Sequence, residues 1–148
     1  YVQDGVVPRT KLPEGLRRIR ELEARSGLRI GNVFHAGDGN LHPLICYDES
    51  IPGQAEHAEK VASEILSYCI DAGGSLTGEH GIGADKKAHM PKMFSPDDLE
   101  TMHLLRCAFD PFGLCNPGKV FPTPRLCGEV PGPYRQHPLE RAGIAERF

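Results

Sequence analysis

Several features that would place a chain in a common functional class are missing here. The 148 residues carry a net charge of −3, so there is no basic excess for nucleic acid or an anionic membrane. No apolar run approaches the roughly 20 residues of a spanning helix, and the opening residues lack a signal-peptide pattern. The five cysteines (Cys46, Cys69, Cys107, Cys115 and Cys127) are odd in number and form no CxxC pair, which argues against a disulfide framework and a zinc ribbon. Their expected state is burial as small apolar side chains in a reducing, cytoplasmic setting. There is no internal repeat. Gly81-x-Gly83 is not followed by the Lys-Ser/Thr of a phosphate loop. The rest is ordinary globular composition, 39% hydrophobic and 25% charged, long enough for one domain with a real core.

Periodicity suggests the elements. Pro13 followed by Leu16, Ile19, Leu22 and Gly27 predicts an amphipathic helix over 13–26. Strands are expected over 28–34 and 41–47, and Pro43 places the second at a sheet edge or on a bulge. Ala58, Val61, Ala62, Ile65, Leu66 and Cys69 define a helix over 54–72 that stops at Gly73-Gly74. A short strand at 75–77 and a short helix over 82–88 follow. Ser95-Pro96-Asp97-Asp98 starts a helix running to about Phe109. This order predicts an α+β fold, a mostly antiparallel sheet with helices packed on one face. Three regions are expected: a domain over 1–110, a breaker-rich segment over 111–127, and a Pro- and Gly-rich tail over 128–148. Tyr1 is not Met, and the opening reads as the middle of a longer polypeptide.

The most informative stretch is Val33-Phe34-His35-Ala36-Gly37-Asp38-Gly39-Asn40-Leu41-His42. If residues 37–40 form a hairpin loop, His35 faces His42, with Cβ atoms about 4.5–5.5 Å apart. Both rings would then reach one ion at about 2.0–2.1 Å. Gly78-Glu79-His80-Gly81-Ile82-Gly83 adds a carboxylate and a third imidazole. Two His and one Glu suit a catalytic divalent metal, Zn, Mn or Fe, with open positions. Asp38 is better suited to turn capping than to ligation. His57, His89, His103 and His137 show no partner in the sequence and are expected on the surface.

Three motifs in order, His35-x-Gly37-Asp38-Gly39-Asn40-Leu41-His42, then Gly78-Glu79-His80-Gly81-Ile82-Gly83, then Asp110-Pro111 with Asn116-Pro117-Gly118-Lys119, carry a resemblance. Together they look like the C-terminal region of FAD-linked 2-hydroxyacid oxidases and dehydrogenases of the vanillyl-alcohol-oxidase type. Asp4-Gly5-Val6-Val7-Pro8-Arg9 resembles most the glycolate oxidase branch. The resemblance implies a ferredoxin-like cap domain belonging to a larger flavoenzyme, whose FAD domain lies N-terminal to this chain. It implies that a divalent metal is held by His35, His42 and Glu79, and that His80 takes the hydroxyl proton of a small 2-hydroxy acid. It implies further that Asn40 contacts substrate or flavin and that Asn116 and Lys119 approach the flavin; the basic residue that binds the substrate carboxylate in some relatives falls upstream of position 1, and Arg9 is the candidate for that part. Further oxidase subunits, one of them an iron–sulfur protein, are the implied partners, with peripheral membrane association through such a complex as an alternative location. Two rival readings stay open: a metal-dependent hydrolase, in which Glu79 or His80 activates water, and a non-catalytic assembly module.

Overall fold

The computed structural model describes residues 1–122. The elements in chain order are β1 (Gly5–Val6), α1 (Leu12–Ser26), β2 (Ile30–His35), β3 (Asn40–Ile45), α2 (Gln54–Asp71), α3 (Met90–Met93) and α4 (Pro96–Phe109). The strands form one antiparallel sheet in the order β1-β3-β2. Val6 exchanges backbone hydrogen bonds with Ser75 on the free edge of β1, at 2.9 and 3.0 Å. Counting that bridge as a vestigial fourth strand gives β-α-β-β-α-β with spatial order 4-1-3-2, the ferredoxin-like arrangement. The strand expected at 75–77 is thus reduced to one bridge. The helix expected over 82–88 is instead turns followed by a 3-10 turn at Lys87–His89 and the short α3.

One face of the sheet is closed by α1 and α2. Leu12, Ile19 and Leu22 of α1 meet Ala58, Val61, Ala62, Ile65 and Cys69 of α2 over Ile30, Leu41 and Ile45. The 3.6-residue period of the helices and the two-residue period of β3 bury these side chains together. Gly27, in a left-handed conformation (φ 72°), ends α1 and donates to the Glu23 carbonyl. Ser95 caps α4 through a reciprocal capping box with Asp98. Among the described residues, no helix is long and apolar enough to cross a membrane.

Pro43 does not lie on an edge: β3 is the central strand. Its missing N–H falls on the β1 side, where Gln3 donates to the Pro43 carbonyl at 3.1 Å and receives nothing back. Pairing resumes at Val2–Leu44 and Gly5–Leu41. A central strand therefore tolerates proline because the ladder is interrupted at one residue on one side. The cysteines are mixed. Cys69 is buried, and Cys46 and Cys115 are exposed free thiols. The Cys107 sulfur lies 3.6 Å from His103 Nε2. Burial, aided by the nearby Asp4 charge, pushes the Cys69 thiol up to about 12.

Candidate functional site

The site lies on the sheet face opposite α1 and α2. His35 ends β2, and His42 lies in the middle of β3. Their register differs from the expected one: His35 faces Asn40, and His42 faces Val33. The hairpin loop is therefore 36–39, not 37–40. The His35 carbonyl accepts from the Asp38 and Gly39 amides, and Asp38 Oδ1 accepts from the Asn40 amide at 3.1 Å. Asp38 is thus a turn residue, as its composition suggested. The two imidazoles are diagonal neighbours instead of opposed ones, but a two-residue shift leaves both on the same face. Their ring centroids lie 5.3 Å apart, nearly edge to face.

Gly39 fixes how this hairpin docks. It has φ 82°, and a Cβ there would lie 2.0 Å from the Val7 carbonyl oxygen. Its own carbonyl accepts from the Val7 amide at 3.1 Å. Arg9 lies beside this contact, exposed at the start of a 3-10 turn, with its backbone nitrogen near Gly39.

The segment after the Ser75 bridge brings up the other half. Glu79 reaches both imidazoles: Oε1 lies 3.3 Å from His35 Nε2, and Oε2 lies 3.7 Å from His42 Nε2. One ligand atom from each of the three residues falls within 4.8 Å of the others. His80 stacks on His42, with centroids 5.0 Å apart and planes inclined by 25°. His35 and Glu79 are about half exposed, whereas the His42 side chain is 10% exposed. Among the described residues, His42 Nδ1 and Asn40 Oδ1 are buried without a hydrogen-bond partner. Such atoms are rare in folded proteins, and here two of them adjoin one convergent donor set. Gly78 packs directly on Asn40: a Cβ at 78 would lie 2.6 Å from the Asn40 amide group.

The residue that sequence reasoning left without a role is Asp4. It is fully buried, and its carboxylate accepts from the amides of Gly78, Glu79 and His80 at 3.0–3.2 Å. It also accepts from the Thr77 hydroxyl and from Lys86 Nζ. Burial alone would raise its carboxyl. The Thr77 hydroxyl and the three amides outweigh that and hold it well below the ordinary carboxylate range. Nothing local in the sequence marks this role, because the partners lie more than seventy positions away.

A family model described as "FAD linked oxidases, C-terminal domain" matches residues 1–120. The chain belongs to this family. It is 46% identical over 137 residues to the glycolate oxidase subunit GlcD of Escherichia coli K12, an alignment covering 93% of this chain and 28% of that protein. The Bacillus subtilis protein of the same name is 35% identical over 120 residues, covering 81% and 26%. A D-lactate dehydrogenase of Archaeoglobus fulgidus is 38% identical over 121 residues, covering 80% and 26%. The chain therefore spans about a quarter of the length of the curated relatives it matches.

Asn116 and Lys119 are exposed on the segment after α4. Arg106 shapes that segment by donating to the carbonyls of Cys115, Asn116 and Lys119. The Val120 amide joins it to the Gly83 carbonyl at 2.8 Å. Of the histidines expected on the surface, His57 is exposed and His89 and His103 are half-buried. His57 Nε2 meets the Ser26 carbonyl, His89 bonds Ser63, and His103 packs edge-on against Phe121. His137 and the 128–148 tail lie outside the described residues.

Proposed function

We propose that this chain is the substrate-side part of an FAD-dependent oxidoreductase that converts a 2-hydroxy acid, of the glycolate or D-lactate type, to the 2-keto acid. The observation that carries the reading is the convergence of His35, His42 and Glu79 beside His80 in a domain of this family. In this reading residues 1–110 are the cap, residues 111–127 lead back to an FAD domain outside the chain, and residues 128–148 form a tail. The partners are the hydroxy acid, that FAD domain and further oxidase subunits.

His35, His42 and Glu79 would hold a divalent ion. Two imidazole nitrogens and a carboxylate are an apt donor set for Zn, Mn or Fe, and the unpartnered atoms of His42 and Asn40 support a polar guest. When bound, the ion supplies positive charge that favours the deprotonated hydroxyl, and the flavin supplies the hydride acceptor. This chain's residues bind, orient and move the proton. His80 accepts the hydroxyl proton, its ring kept in place against His42. Asn40, whose side-chain oxygen is buried beside this cluster, would contact the substrate. Arg9, on the flank of the hairpin turn, offers a cation to the substrate carboxylate. Asn116 and Lys119 face the flavin side.

The test is turnover in the polypeptide that joins this chain to its FAD domain. His80→Ala should lower glycolate or D-lactate oxidation about 100- to 10,000-fold, the range for losing a general base. Near-normal turnover would remove His80 from the mechanism. The 148-residue chain alone, with added FAD, should oxidise neither acid; measurable oxidation would contradict the need for a separate FAD domain.

A further inference from the structure

We infer that Asp4 is the positioning residue of this site, its buried carboxylate tying down both ends of the loop that presents Glu79 and His80. The inference rests on the reading of those two residues as site residues. The loop leaves the sheet after the Ser75 bridge, is held at Thr77 and is anchored again at Lys86. At the first end, consecutive amides of Gly78, Glu79 and His80 all point at Asp4. Thr77 adds a relay: its hydroxyl donates to Asp4 while accepting from the Gly81 amide at 2.9 Å. At the far end, Lys86 Nζ bridges Asp4 Oδ2 at 3.2 Å and the Asp4 carbonyl at 2.7 Å. The Lys86 side chain is 6% exposed and that of Asp4 is 0% exposed.

A buried ion pair alone says little about stability, since desolvation offsets much of the attraction. The arrangement here is more specific. Three successive backbone N–H groups converging on one anion fix φ and ψ of the residues between them. Those residues are the ones that aim the Glu79 carboxylate and the His80 ring. A carboxylate is acceptor-only and carries the charge that pairs with Lys86; an amide would lose that charge and turn an NH₂ toward the Gly78 amide. Asp4 also lies directly across from His42 in the β1–β3 register, so amide protection at residues 78–80 is the readout that isolates its hold on the loop.

The experiment compares the 148-residue chain with its Asp4→Asn and Thr77→Val variants. Amide hydrogen exchange by NMR and Zn²⁺ titration are measured on each. In Asp4→Asn the Gly78, Glu79 and His80 amides should lose protection while those of Val61 to Leu66 in α2 keep theirs. Zn²⁺ affinity should fall about 10- to 100-fold, the usual cost of removing an outer-shell partner. Thr77→Val should shift both readouts in the same direction by less, and it decides the matter if Asp4→Asn fails to fold. Unchanged protection at 78–80 in a folded variant would overturn the inference. So would lost protection with undiminished Zn²⁺ affinity, which would make Asp4 a residue of the fold alone. If the parent chain binds no Zn²⁺ but loop protection still depends on Asp4, the metal reading fails while the hold of Asp4 on the loop is upheld.

Discussion

The hairpin carrying His35 and His42 closes on itself, whereas the loop carrying Glu79 and His80 closes on a residue more than seventy positions away. In the hairpin, the turn, the Asp38 cap and the strand pairs nearest them lie within ten residues, and the turn then docks on Val7 through Gly39. The loop has a single bridge to β1 and then takes its shape from Asp4 and Lys86. The two halves meet at Gly78 against Asn40 and at Glu79 between the imidazoles. A site built this way should tolerate damage to one half without unfolding the other, and the seam between them should be its most sensitive point.

The largest expected effect comes from prising the hairpin off β1. Gly39→Ala combines a positive φ with a Cβ 2.0 Å from the Val7 oxygen, so the strands must separate. A loss of roughly 2–4 kcal/mol is expected in denaturant titration; an unchanged midpoint would show that the docking is looser than described. Gly78→Ala attacks the seam. Its Cβ would press on the Asn40 side chain at 2.6 Å, a group that can swing aside more readily than backbone. About 1–3 kcal/mol is expected, the usual cost of overpacking, together with weakened Zn²⁺ binding by calorimetry; full retention of binding would mean the halves are not coupled through this contact. His35→Ala isolates chemistry from folding. The side chain is about half exposed, so stability should stay within about 0.5 kcal/mol while Zn²⁺ binding is lost. The smallest effect is acid sensitivity after α4. The amides of Cys115 and Leu114 hold the Asp110 carboxyl below its ordinary range. That hold is present above about pH 3.9 and is lost as acid protonates the group. The Leu114 and Cys115 amide shifts should titrate below that pH, and Asp110→Asn should flatten them.

The same contrast accounts for what could be read from the residues. The helices at 13–26 and 54–72, the Ser95 start and the hairpin signal are local, and the structure has them within a residue or two. The hairpin register was misjudged by one loop position because Asp38-Gly39 and Gly39-Asn40 are both good turn pairs, and only docking against Val7 selects between them. Pro43 was misplaced because the sequence does not show which side of a central strand lacks its partner. His35, His42, Glu79 and His80 were legible as candidates from residue type and motif order. Asp4 and Lys86 were not, since an Asp near the start of a chain and a Lys after a glycine-rich loop have no local pattern that pairs them.

The most direct test of a two-part metal site is to follow the histidine rings of this chain by NMR as Zn²⁺ is added. The account predicts that the His35 and His42 signals shift together and saturate at one equivalent, and that the His35→Ala/His42→Ala double variant takes up no ion at that concentration. Zn²⁺ bound with both rings unmoved, or no uptake by the parent chain, would contradict it.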